Sequence, residues 1–211
     1  MTEEGRPAGN HRFLVELGDR ADPHAALLSA HVKQHMFFAK ARGFASAREA
    51  ALFGPNIPVA VYDNLVVTVN KHLPKLHRYV ALRKKLMGIE KVHQYDLYVP
   101  MIEAEEEKIH YDDGVKTILT ALAPLGADYV GTLKNAFESR WIDVYETPNK
   151  RSGAYCWGSY LTHPYLLLNY TATMNDRSTV AHEMGHAMHS WYTVKNQPIV
   201  YGDYATFCAE V

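Results

Sequence analysis

Five consecutive residues, His182-Glu183-Met184-Gly185-His186, stand out as a group that could do chemistry. On a helix, residues four apart share a face, so both imidazoles can reach one metal ion. Glu183 follows the first imidazole by one residue. There its carboxylate can address a water beside the ion rather than the ion itself. Two nitrogen ligands and one general base is the arrangement by which zinc activates water against a carbonyl. A catalytic zinc also needs a third protein ligand and an open fourth position. His189 is on roughly the same face, but seven helical residues span about 10.5 Å and zinc–nitrogen bonds are about 2 Å. One straight helix cannot bring all three histidines to one ion, so His189 is assigned to packing or to support of the ligands. The third ligand must come from another segment. Asp203, Cys208 and Glu210 are the downstream candidates, and His163 could reach in from an upstream strand. Glu210 comes 24 residues after His186, room for the rest of one helix, a turn through Asn196–Pro198 and the start of another. Cys208 also suits a small buried apolar position.

Several elements must position these residues. Helical periodicity runs from Ala25 to Ala41, where Gly43 ends it. Ser46 and Glu49 have capping-box spacing before a short helix through Leu52. Pro58 opens a helix over Val59–Asn70, and a second covers Leu73–Met87 and stops at Gly88. Residues 92–102 read as extended, interrupted at Pro100. Asp112 or Asp113 caps a helix through Leu122, and another runs from about Gly126 to Ser139. Strands are expected at Trp141–Tyr145, Ala154–Tyr160 and Tyr165–Asn169, rich in aromatic and aliphatic residues. Helix returns over about Asp176–Tyr192, and a last one begins after Asp203. The fold expected is mainly α, with a small sheet between about Trp141 and Asn169 beside the metal-binding helix. Residues 1–22 form a loose polar leader, 23–140 a helical region and 141–211 part of a catalytic core.

Composition narrows the function. The 211 residues carry a net charge of −1 and 47% hydrophobic residues, which excludes general disorder. A binder of nucleic acid or membrane that relies on bulk positive charge is not expected. No apolar run approaches the ~20 residues a membrane span needs, and the first residues lack the apolar core of a signal peptide. Two cysteines, Cys156 and Cys208, make no disulfide framework, so a reducing, cytoplasmic setting is expected.

The stretch AHEMGHAMHSWYTVKNQPIVYGDYATFCAEV resembles the active-site region of the oligoendopeptidase F group, in the M3 family of zinc metallopeptidases. KRSGAYCWGSYLTHPYLLLNY, IPVAVYDNLVVTVNKHLPKLHRYVALRKKLMG and LAPLGADYVGTLKNAFESRWIDVYE also look like that group, and the likeness extends from about Ala25 to Val211. The resemblance implies a zincin-like fold of the gluzincin type, binding one Zn2+ ion and hydrolysing internal bonds of short peptides. His182 and His186 match the first two zinc ligands, Glu183 the general base and Glu210 the third ligand. Gly153, Ala154 and Tyr155 match an edge strand along which substrate would lie, added through main-chain hydrogen bonds. Asp203, like His189, is expected behind the ligands. Members of the group continue past the position of Val211 with helices bearing the residues that stabilise the transition state. The chain is therefore expected to be an internal fragment of a larger helical metallopeptidase. Alone it should bind zinc more weakly than its parent, tend to associate, show little or no peptidase activity and leave apolar surface bare around Met184, Trp191 and Phe207. Two rival expectations are a zinc-binding but inactive fragment and a helical partner-binding piece.

Overall fold

The computed structural model describes residues 15, 18–101 and 108–210. Of the leader expected over residues 1–22, residues 1–14, 16 and 17 lie outside these, and Ala21 and Asp22 already belong to the first helix. The chain divides into two compact units between Glu103 and Ala104. No helix among the described residues is long and apolar enough to cross a membrane.

The first unit is helical: α1 (Ala21–Ala41), α2 (Ala47–Phe53) and α3 (Val59–Met87). The Ser46 hydroxyl accepts from the Glu49 amide at 3.1 Å, and the Glu49 carboxylate accepts from the Ala45 amide at 2.9 Å. The two helices expected over 59–87 are one. Pro74 sits inside it, where its missing N–H costs one carbonyl a partner while the helical run continues on both sides. At Gly88 a left-handed φ of 66° ends α3, as a glycine there permits. Of the segment 92–102 expected as extended, residue 102 lies outside the described residues; His93 and Val99 are extended, but between them the chain winds into a 3₁₀ turn over Gln94–Tyr98. The cause is tertiary. Arg83 of α3 is buried and its Nη1 donates to the carbonyls of Asp96, at 2.8 Å, and Val99, at 2.6 Å, drawing that segment round the guanidinium.

The second unit holds α4 (Tyr111–Ala121), α5 (Ala127–Glu138), a three-stranded sheet, α6 (Met174–Asn196) and α7 (Thr206–Glu210). Asp112 and Asp113 lie in the first turn of α4, where a helix dipole favours acid, and His110 precedes it. The strands are β1 (Ile142–Asp143), β2 (Tyr155–Trp157) and β3 (Tyr165–Leu167), shorter than their apolar runs, in spatial order β1-β3-β2. β3 pairs parallel with β1, Ile142 opposite Leu166, and antiparallel with β2, Cys156 opposite Leu166. β2 is therefore a rim of the sheet.

The core gathers Ile118, Leu133, Trp141, Leu166, Leu168, Val180, Met184 and Met188 from α4, α5, the sheet and α6. Val180, Met184, Ala187 and Met188 recur at helical spacing on the inward side of α6. The bare apolar surface expected at Met184 and Trp191 is absent: Met184 is fully buried and Trp191 packs against the core. Burying each large side chain contributes roughly 1.5–3 kcal/mol, which holds α6 against the sheet.

Candidate metal centre

α6 begins in a capping box. The Thr173 hydroxyl accepts from the Asp176 amide at 3.1 Å. One oxygen of Asp176, Oδ2, accepts from the Thr173 amide, the Thr171 amide and the Thr171 hydroxyl, each at 2.9 Å. Burial alone would raise the Asp176 carboxyl, but these hydrogen bonds outweigh it and hold the pKa below the usual aspartate value. The start of the helix is thus tied to the residues that leave β3.

Two turns later the helix presents its candidate chemistry. His182 and His186 face outward, their rings perpendicular and 4.6 Å apart between centroids, with the two Nε2 atoms 3.0 Å apart. Glu183, one residue after His182, is buried at 7% exposure. Its charge acts on Cys156, which faces α6 from the middle of β2. Burial first, and then the Glu183 carboxylate, pushes the Cys156 thiol up to about 12. Cys156 is therefore a neutral thiol and not a nucleophile.

Glu210, in α7, completes the cluster. Its Oε1 lies 3.7 Å from His186 Nε2, and one ligand atom each from His182, His186 and Glu210 all fall within 4.8 Å of one another. Zinc bonds of about 2.0–2.2 Å place tetrahedral ligand atoms roughly 3.3 Å apart, so the spacing suits a single ion. Two imidazoles and a carboxylate are also the donor set of a catalytic zinc that keeps a fourth position open. No other group of three such residues is found among the described residues.

The remaining candidates lie elsewhere. The His163 ring is stacked on Trp141, 5.1 Å between centroids and nearly parallel, and its Nδ1 is 2.8 Å from the Pro164 carbonyl. Cys208 is exposed rather than buried, and stands outside the cluster. Asp203 accepts from the Tyr204 amide at 2.9 Å and is outside the cluster too. His189 stacks on Tyr204 at 3.6 Å. Gly153 and Ala154 lead into β2, which Tyr155 opens, and the Gly153 carbonyl accepts from the Asn169 side-chain Nδ2 at 2.8 Å.

Tyr204 carries a role that sequence patterning does not signal. Its ring lies on His189, its hydroxyl shares a 2.8 Å hydrogen bond with Ser190, and the same oxygen is 3.5 Å from the His186 carbonyl. It clamps the approach to α7 onto α6 and so sets where Glu210 arrives. Nothing in local periodicity marks one tyrosine among 14 for that task.

Comparison with known proteins gives the chain's relatives. The model of a family described as Peptidase family M3 matches residues 15–211. Oligopeptidase PepF of Bacillus subtilis (strain 168) is 49% identical over 194 residues, 92% of this chain and 29% of that protein. An Oligoendopeptidase F homolog of Lactococcus lactis subsp. lactis (strain IL1403) is 49% identical over 188 residues, 89% of this chain and 31% of its own length. The chain thus spans less than a third of the length of these curated relatives. A crystal structure of a protein from Chlamydophila abortus superposes with a TM-score of 0.77 at 40% identity, covering 92% of this chain and 32% of that one. The oligoendopeptidase-F structure from Enterococcus faecium superposes with a TM-score of 0.55 at 40% identity, covering 64% of this chain and 25% of that one.

Proposed function

The chain belongs to peptidase family M3, and from that premise we propose that it carries the zinc-binding and proton-transferring residues of an endopeptidase acting on short peptides. The observation that supports this best is the convergence of His182, His186 and Glu210 on a common point, with Glu183 one residue from the first ligand. The names Oligopeptidase and Oligoendopeptidase F, borne by the relatives, support short peptides as the substrate class.

In this reading His182 Nε2, His186 Nε2 and a Glu210 oxygen hold one zinc ion. Zinc bound there would supply Lewis acidity, lowering the pKa of a water and polarising a peptide carbonyl. Glu183 takes the proton of the attacking water, and the same carboxyl gives it to the departing amine. The neutral Cys156 thiol beside it leaves that proton transfer to Glu183 alone. Gly153, Ala154 and Tyr155 offer the rim of the sheet to an extended peptide, which recognises main chain more than side chains. Tyr155 is exposed at that rim. Both cysteines are free, which suits a reducing compartment, and we assign the protein to the cytoplasm.

Zinc content and hydrolysis of a short internally quenched peptide, measured together, test the reading. The protein should hold one zinc per chain. In the full-length parent Glu183→Gln should keep it and lose turnover, because an amide accepts no proton. His182→Ala should lose both. Near-normal turnover by Glu183→Gln refutes the base assignment. Zinc without turnover in the unaltered protein favours an inactive zinc-binding piece, and absence of zinc favours a helical partner-binding piece.

A further inference from the structure

The outward face of α6 does not end at the metal ligands. Ser190 and Val194 follow His186 at intervals of four, so they continue its side of the helix one and two turns further on. Both line a cavity of about 400 Å³. The end of β2, at Cys156 and Trp157, and the segment Asp203–Tyr204 line it too. Three elements therefore meet there: the helix that bears the two histidines, the rim strand, and the approach to Glu210. One helical turn is about 5.4 Å, so the cavity begins within a peptide residue or two of the ligand cluster.

Its chemistry is asymmetric. Among the lining side chains only Asp203 carries a formal charge at neutral pH, since the others are hydroxyls, apolar groups and the Cys156 thiol. Asp203 is exposed. Its Oδ1 accepts from the Tyr204 amide at 2.9 Å. Its other oxygen makes no hydrogen bond among the described residues. Trp157, 73% exposed, offers an aromatic face at the same cavity. The lining is also fixed in shape. The Tyr160 hydroxyl donates to the Gln197 carbonyl, and Tyr160 packs so closely on Gly202 that a Cβ there would lie 2.5 Å from its ring.

A carboxylate with a free oxygen and an exposed indole lining one cavity are complementary to a planar cation. We propose that this cavity receives a cationic side chain of the peptide substrate, arginine ahead of lysine, and that Asp203 selects for it. The proposal rests on the peptidase reading above and names a substrate class for that site.

The test is a binding measurement on zinc-loaded Glu183→Gln, which holds peptides without cutting them. Short labelled peptides carry a single arginine, or its neutral isostere citrulline, walked through each position. At one position arginine should bind roughly fivefold tighter than citrulline. Asp203→Asn in the same background should bring that ratio to about one, because the amide keeps an acceptor for the Tyr204 N–H but lacks the charge. Asp203→Glu should retain the preference, and equal zinc content across the three shows that each is folded. A ratio near one at every position with Asp203 present overturns the proposal. So does a preference that survives in Asp203→Asn. Peptides that bind with no preference leave the peptidase reading standing, whereas failure of every peptide to bind overturns both.

Discussion

Removing the Tyr204 side chain should cost zinc affinity although Tyr204 is no ligand. α7 has five residues, too few to hold a helix by itself, so Glu210 depends on tertiary contacts for its position. Tyr204 supplies two of them on α6: the ring contact with His189 and the hydrogen bond with Ser190. A stacked aromatic pair contributes about 1 kcal/mol and a hydrogen bond of this kind about 1 kcal/mol. If both are lost, the conformations that present Glu210 to the histidines fall in population by about 2 kcal/mol, or thirtyfold, and zinc affinity falls with them. Tyr204→Ala should therefore bind zinc about thirtyfold more weakly, in the range known for residues that orient metal ligands. Tyr204→Phe keeps the ring and should lose about fivefold. Competition for zinc with a chelating dye measures both, and circular dichroism confirms that the helices remain. Tyr204→Ala binding within threefold of the unaltered protein would show that Glu210 is held by other contacts and refute the reasoning.

Leu133→Ala should destabilise the second unit by about 2–5 kcal/mol in urea unfolding, because Leu133 is fully buried at the centre of the core; a loss under about 1 kcal/mol would mean the site collapses to fill the space. Asp176 has its pKa depressed in the folded state. Its stabilising contribution is therefore fully present above the unfolded value near 4 and is lost as pH falls through the lower folded value. Asp176→Asn should flatten the acid limb of stability against pH below about 4, and an unchanged limb would sink the capping argument. Iodoacetamide at pH near 8 should label exposed Cys208 quickly and half-buried Cys156 slowly, since the latter's pKa is about 12. Mass spectrometry of the digested protein separates the two, and equal rates would contradict the burial of Cys156.

The pairing of His182 with His186 was legible because their spacing is a local property of one helix. Glu210 was legible only through resemblance: spacing left Asp203, Cys208 and His163 in contention, and contacts across the fold separate them. His163 belongs to Trp141 and Tyr165 rather than to a metal, which depends on what packs beside β3. The Ser46 cap and the glycine stop at Gly88 were readable for the same local reason as the histidines. Where tertiary forces prevail, local patterning misleads. Separate helices were expected over Val59–Asn70 and Leu73–Met87, yet α3 runs unbroken through both and through Pro74. The β-branched and aromatic residues after Val92 read as extended, yet buried Arg83 gathers their carbonyls into a turn. Val180, Met184, Ala187 and Met188 form a buried inward stripe, which contradicts the expectation of bare surface at Met184.

The carboxylate knot that opens α6 has a consequence for how this stretch can vary in length. It fixes where the helix starts, and six residues separate Asp176 from His182, about 9 Å of rise. Any insertion or deletion between them shifts the phase of everything downstream by about 100° per residue. One added residue would swing both imidazoles off the outward face and bring a polar neighbour into the core stripe. Further upstream, by contrast, the connection between β2 and β3 can absorb extra residues without rotating the helix. Gaps among functional sequences of this kind should therefore cluster before the knot and be missing between it and the second histidine.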